Sequence, residues 1–244
     1  MYAKARFLLA GDSALFVEFG DKVSREINMK VNKLFLHLQK FPLKGITETV
    51  PTYRTLVIYY NPLELSLETL RSELEKIILE LADTSPLRSR RIIVPVKYGG
   101  DYGPDIEHVA AYCKISPEDV TRIHSSVNYL VYMIGFMPGF PFLGEVPESI
   151  ACPRLTTPRV KVPAGSVGIA RTQTAIYPFE SPGGWRLIGR TPLRFFDQKS
   201  DSPFLMQAGD YVRFRSITDA EYEHILKEIQ TGNYQPEIEP YEKQ

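Results

Sequence analysis

Gly135-Phe136-Met137-Pro138-Gly139-Phe140-Pro141-Phe142-Leu143-Gly144 cannot be helix. Each proline removes a backbone donor and fixes φ, and each glycine raises the entropy cost of regular helix. The same texture runs on through residues 135–192, which hold nine of the 19 prolines and eight of the 16 glycines. Short strands and tight turns are what such a segment can form. The strand candidates are Val127 to Ile134, Ser166 to Ala170, Ala175 to Tyr177, Trp185 to Ile188, Leu193 to Phe196 and Tyr211 to Ile217. Many short strands of this kind close most readily into a β-barrel, which leaves no open sheet edge. Phe136, Phe140 and Phe142 serve either as core or as an exposed docking surface.

On the N-terminal side, Tyr98-Gly99-Gly100-Asp101-Tyr102-Gly103-Pro104-Asp105 reads as a loop opening a short helix with Ile106, Val109 and Ala110 inward. Ser116-Pro117-Glu118-Asp119 then starts a second helix, with a side-chain cap, proline at the first helical position and acids at the positive end of the dipole. His124 falls near the end of that helix, on the face of Val120. Residues 1–97 alternate differently. A strand at Leu15 to Phe19 precedes a helix over Ser24 to Lys40 carrying Ile27, Val31, Leu34, Phe35 and Leu38 on one face. Strands at Gly45 to Val50 and Thr55 to Tyr59 follow, then a helix with Leu67, Leu70, Leu74, Ile77, Ile78 and Leu81, closed by Asp83 to Pro86, and a strand at Arg91 to Val96. The order β-α-β-β-α-β predicts a ferredoxin-like domain with both helices on one face of the sheet.

Beyond the barrel, Thr218-Asp219-Ala220-Glu221 is a capping box that opens a last helix with Tyr222, Ile225, Leu226 and Ile229 inward. The predicted organisation is therefore α+β: a ferredoxin-like domain over 1–97, a β-barrel domain over 98–234, and a frayed tail over 235–244.

Lys plus Arg and Asp plus Glu balance at 29 each, so no global field draws in nucleic acid or an anionic membrane. The apolar run Phe7-Leu8-Leu9-Ala10 is too short for a signal-peptide core or a membrane span. With two cysteines only, Cys113 and Cys152, the chain suits a reducing compartment, and a cytoplasmic location is expected. The four histidines are scattered and no CxxC occurs, so no metal site is expected. There is no Gly-Lys dipeptide, which excludes a Walker A loop, and the glycines at 99, 100 and 103 lack dinucleotide spacing. Ala164-Gly165-Ser166-Val167-Gly168 superficially resembles a nucleophile elbow, but Ser166 runs into a strand pattern and not a helix; it is a turn or binding-loop serine. Arg159, Lys161, Arg171, Arg186, Arg190 and Arg194 lie where turns can aim several cations into one concavity suited to carboxylates or phosphates. For Arg159 and Arg186, beside Pro158 and Gly184-Trp185, binding and structural roles are equally open.

The ordered blocks Tyr98-Gly99-Gly100, Gly103-Pro104-Asp105, His124-Ser125, Gly135 to Gly144, Pro158-Arg159, Val162 to Val167, Ile176-Tyr177-Pro178, Ser181 to Trp185 and Leu187 to Pro192, with Gly11 to Ala14 near the start, resemble the family of 5-oxoprolinase B subunits, also labelled allophanate hydrolase subunit 1. The resemblance implies a cyclophilin-like barrel and membership, with the A and C subunits, of a complex that opens 5-oxo-L-proline to L-glutamate using ATP held by the complex and not by a P-loop here. It also implies two other roles for this architecture: a protein-binding inhibitor of a sporulation histidine kinase, and a carboxyltransferase-like or allophanate hydrolase-like subunit. Within the matched motifs, side-chain chemistry picks His124, Arg159 and Tyr177 as catalytic, and Ser166, Gln173, Arg186 and Arg190 as substrate-binding. The stretch Ala170-Arg171-Thr172-Gln173-Thr174-Ala175 departs from the family's glycine-containing pattern at Arg171 and Ala175.

Overall fold

The computed structural model describes residues 1–82 and 89–241, and the chain divides into two compact units, Met1–Leu87 and Arg88–Gln244. In the first, β1 (Arg6–Leu9) and β2 (Ala14–Glu18) precede α1 (Arg25–Lys40), β3 (Ile46–Pro51), β4 (Thr55–Tyr60) and α2 (Leu67–Ala82). Ser24 caps α1 by accepting a hydrogen bond from the Ile27 amide at 3.3 Å, and of the predicted apolar stripe Ile27, Val31, Leu34 and Leu38 are buried and Phe35 partly so. The sheet order is β1-β2-β4-β3, antiparallel throughout. The β-α-β-β-α run is therefore present as read, from β2 to α2. The sixth element is not: the edge beside β2 is filled by β1, and the run Arg91 to Val96 pairs elsewhere. Residues Asp83 to Pro86, expected to close the second helix, lie outside the described residues.

That run belongs to β5 (Ser89–Tyr98), at the centre of the second unit. Ile92 to Val96 are buried on both faces, as a strand enclosed by barrel and helices requires, whereas an edge strand over one helical layer would alternate. The unit continues with α3 (Ile106–Cys113), α4 (Pro117–Ser126), β6 (Asn128–Ile134), β7 (Pro141–Gly144), β8 (Arg159–Val162), β9 (Ser166–Ala170), β10 (Gln173–Ile176), β11 (Ser181–Gly183), β12 (Arg186–Arg190), β13 (Tyr211–Ser216), α5 (Asp219–Thr231) and β14 (Ile238–Tyr241). The order β12-β9-β10-β7-β6-β13-β5 closes on itself where Gly189 and Arg190 of β12 meet Tyr98 and Lys97 of β5, giving the expected closed barrel with seven strands. β8 and β11 form a separate two-stranded ribbon.

Two expectations are corrected here. Leu193 to Phe196 is not a strand: Pro192 offers no amide, Leu193 turns its own amide to Thr191 Oγ1 at 3.2 Å, and Phe196 keeps a single bridge to Phe204. Nor is the chain frayed from 235, because β14 pairs antiparallel with the start of β5, Glu239 meets Arg91 at 2.7 Å and Tyr241 packs on Tyr211. Residues 242–244 lie outside the described residues.

The glycine-rich loop after β5 is seated on β12. A Cβ at Gly103 would lie 2.0 Å from the Ile188 carbonyl oxygen, so only glycine permits this approach. The contact fixes Asp105, whose amide donates to Leu187 O at 2.8 Å just before α3 begins.

Candidate functional site

Asp105 is 6% exposed, and its carboxylate organises the end of β12. One oxygen accepts from the Leu187 amide at 2.7 Å; the other accepts from Arg159 Nη2 at 2.8 Å and stands 4.0 Å from Arg186 Nη1. Arg186 Nε also donates to Pro153 O at 3.3 Å. Two guanidinium groups thus share one carboxylate, which leaves the cluster net positive. Arg159 Nη1 is buried and has no hydrogen-bond partner, so one of the strong donors of this cluster is unsatisfied. A carboxylate or a developing oxyanion supplies what this atom lacks.

Tyr177 borders the same cluster. It packs with Phe140, Trp185 and Leu187 in a small core on the outer face of the barrel, and its hydroxyl approaches Gly183 so closely that a Cβ there would sit 2.4 Å away. Burial raises the Tyr177 phenol above its ordinary pKa, a shift opposed by a hydrogen bond from the Trp185 backbone and by the nearby Arg154 and Arg159. At neutral pH the group is a proton donor. Gln173, the first residue of β10, shares the outward parity of Tyr177, which lies four residues on, just past the end of that strand. Ser166 and Arg190, opposite each other in the β9–β12 register, lie on the outer face next to Tyr177, whose amide donates to Ser166 O at 2.9 Å.

His124 does not join this group, which corrects its assignment as the proton-handling catalytic residue. It is 0% exposed inside the barrel, stacked on Phe214 at 4.4 Å between ring centroids. Its tautomer follows from its neighbours. Thr174 Oγ1 spends its single proton on Gly168 O at 2.9 Å, so it accepts from His124 Nε2–H at 2.9 Å; Nδ1 then accepts from the Tyr98 hydroxyl at 2.8 Å. Desolvation lowers the His124 pKa from 6.5 to about 3, and the ring is a neutral strut between α4 and the barrel wall. The unfolded chain takes up a proton below about pH 6.5 that the folded chain refuses until about pH 3. This stabilisation is full above pH 6.5 and is lost as pH falls through that window. Thermal melts followed by circular dichroism should therefore show a midpoint declining from pH 6.5 towards 3, with a shallower decline in His124→Gln; equal slopes would discard the linkage.

Asp105 is the residue that sequence reading passes over. Its signal is its place in Gly103-Pro104-Asp105, where a backbone contact demanding glycine directly precedes an acid. Among the described residues no group of three or more His, Cys, Asp or Glu side chains could hold a metal ion. No helix among them is long and apolar enough to cross a membrane.

The carboxyltransferase domain family, subdomain C and D, matches residues 5–206. The chain is 40% identical over 228 residues to the 5-oxoprolinase B subunit of Bacillus subtilis, covering 89% of this chain and 95% of that one. It is 42% identical over 212 residues to the 5-oxoprolinase B subunit of Escherichia coli O157:H7, with 86% and 95% covered. The crystal structure of TTHA0988 superposes with a TM-score of 0.76 at 37% identity over 84% of this chain, which spans only 40% of that longer chain.

Proposed function

We propose, since the chain belongs to the carboxyltransferase subdomain C and D family and groups with the 5-oxoprolinase B subunits, that it is the B subunit of a cytoplasmic, ATP-dependent 5-oxoprolinase. In this reading it works with the A and C subunits to open 5-oxo-L-proline to L-glutamate and is inactive alone. The observation that carries the reading is the buried, unpartnered Nη1 of Arg159 in a cluster where two guanidinium groups share Asp105. The substrate is a carboxylate, and its lactam is a resonance-stabilised amide that resists water. ATP held by the complex would supply a phosphoryl group to the lactam oxygen with ADP leaving, so that water adding to the carbonyl carbon could break the ring C–N bond and release phosphate.

The tasks of this chain are positioning and charge compensation. Arg159 and Arg186 hold the substrate carboxylate or the negative charge that develops on oxygen, donors fixed in advance by Asp105 and therefore needing little reorganisation. Tyr177, kept as a phenol by burial, donates a proton or hydrogen bond at the edge of the same cluster. His124 acts at a distance, by holding β10 in place through Thr174. The net positive, one-sided cluster is suited to completion by another polypeptide. Its relatives' designation as a subunit and the longer chain of TTHA0988 support that arrangement.

Mixing the purified chain with the A and C subunits of a 5-oxoprolinase should give ADP release that depends on 5-oxoproline, with none from the chain alone. No release from a mixture whose A and C subunits are active with their own B subunit would overturn the proposal.

A further inference from the structure

Beside the Asp105 cluster, with its two arginines, the outer face of the barrel carries a third that has no carboxylate partner among the described residues. Arg190, the last residue of β12, lies opposite Ser166 of β9 on one side and Lys97 of β5 on the other. Lys97 is paired with Asp219 at 3.1 Å. No carboxylate among the described residues makes an ion pair with Arg190. Its side chain reaches the Asp101 carbonyl at 3.5 Å and stands over the Tyr102 ring at 5.5 Å, while its Nε is buried with no hydrogen-bond partner.

Ser166 repeats the pattern. It is 0% exposed; its amide donates to Pro163 O and its carbonyl accepts from the Tyr177 amide, yet its hydroxyl has no partner. Two orphaned donors therefore occur on directly opposed residues of adjacent strands, where side chains lie within roughly 5 Å at Cβ. The backbone makes room for them. Gly165 has φ +78°, and a Cβ there would meet Thr191 O at 2.2 Å and Arg190 Cγ at 3.3 Å. An arginine drawn partly out of water without a counter-charge is unfavourable unless something else supplies the negative oxygen.

We infer that Arg190 and Ser166 form an oxyanion seat separate from the Asp105 cluster, taking a small phosphate or carboxylate group on the guanidinium with the serine hydroxyl as a further donor. The seat stands on these contacts alone. That its oxyanion belongs to the ring-opening reaction rests on the function proposed above, and the test below needs no turnover.

The full-length chain is titrated calorimetrically with inorganic phosphate and, separately, with L-glutamate. A saturable site is expected for at least one of them, weakened at least tenfold by Arg190→Gln and severalfold by Ser166→Ala, but less than twofold by Arg122→Gln, an exposed arginine paired with Asp119 on α4. Stronger binding of phosphate points to a phosphoryl source and stronger binding of glutamate to the carboxylate; either supports the seat. Should Arg190→Gln fail to fold, Arg190→Lys, which keeps the charge but loses the planar fork, should still weaken binding severalfold. The inference is overturned if neither anion binds saturably, as when the orphans hold only water, or if binding survives the Arg190 variants and disappears with Arg159→Gln.

Discussion

Asp105→Ala should lower the thermal midpoint by roughly 6–20 °C, the equivalent of about 3–5 kcal/mol for breaking a buried charged pair from one side. The carboxylate serves three donors at once: the Leu187 amide, Arg159 Nη2 and, at longer range, Arg186 Nη1. Alanine leaves the amide buried without an acceptor and two cations facing each other without their shared anion, an outcome worse than losing any one hydrogen bond. Asp105→Asn should fall between the two. Its amide oxygen still accepts from Leu187, but its charge no longer offsets the arginines. Differential scanning calorimetry of the three proteins checks the order; an alanine variant melting within about 2 °C of the parent would show that solvent, not Asp105, compensates these cations.

How much of this is legible in the sequence depends on whether the signal is local. The helix starting at Ser116-Pro117 and the capping box at Thr218 are local chemistry, and both stand where the sequence puts them, with Ser116 accepting from the Asp119 amide and Thr218 from the Glu221 amide. Ser166–Ala170 is likewise read to the residue, with Pro163 and Gly165 marking its start. Pairing partners are different. The apolar run Arg91 to Val96 announces a strand, yet nothing in it says that the neighbour is Tyr211–Ser216, over a hundred residues later, rather than a strand of the preceding unit. Ser181–Gly183 escapes a sequence reading because a three-residue strand through Pro182 has no period to detect.

The candidate site shows the same division. Residue chemistry and turn context pick out Arg159, Arg186 and Tyr177, which the fold gathers around one end of the barrel's outer face. They also pick out His124, because a histidine in a matched motif looks the same whether it faces a ligand or a core. Only the tertiary partners Tyr98, Thr174 and Phe214 separate the two cases. Asp105 escapes for the converse reason: an acid after Gly-Pro before a helix reads as a cap, yet its side chain makes no cap hydrogen bond and is committed to Arg159 and Leu187.

Arg159→Gln is expected to cost the assembled complex about 10²–10³ in kcat/KM for 5-oxoproline, the scale of removing one pre-positioned donor to a developing oxyanion. Glutamine can still reach towards Asp105 but carries neither the charge nor the second nitrogen that is buried and unpartnered in the parent. Loss concentrated in KM would place Arg159 on the substrate carboxylate, and loss concentrated in kcat would place it on charge formed during the reaction. Size-exclusion chromatography of the variant with the A and C subunits separates either effect from failed assembly. The decisive measurement is therefore kcat/KM of a complex reconstituted with Arg159→Gln and shown to be intact: a fall of at least about a hundredfold is predicted, whereas turnover equal to the parent complex would contradict the claim that this cluster meets the substrate.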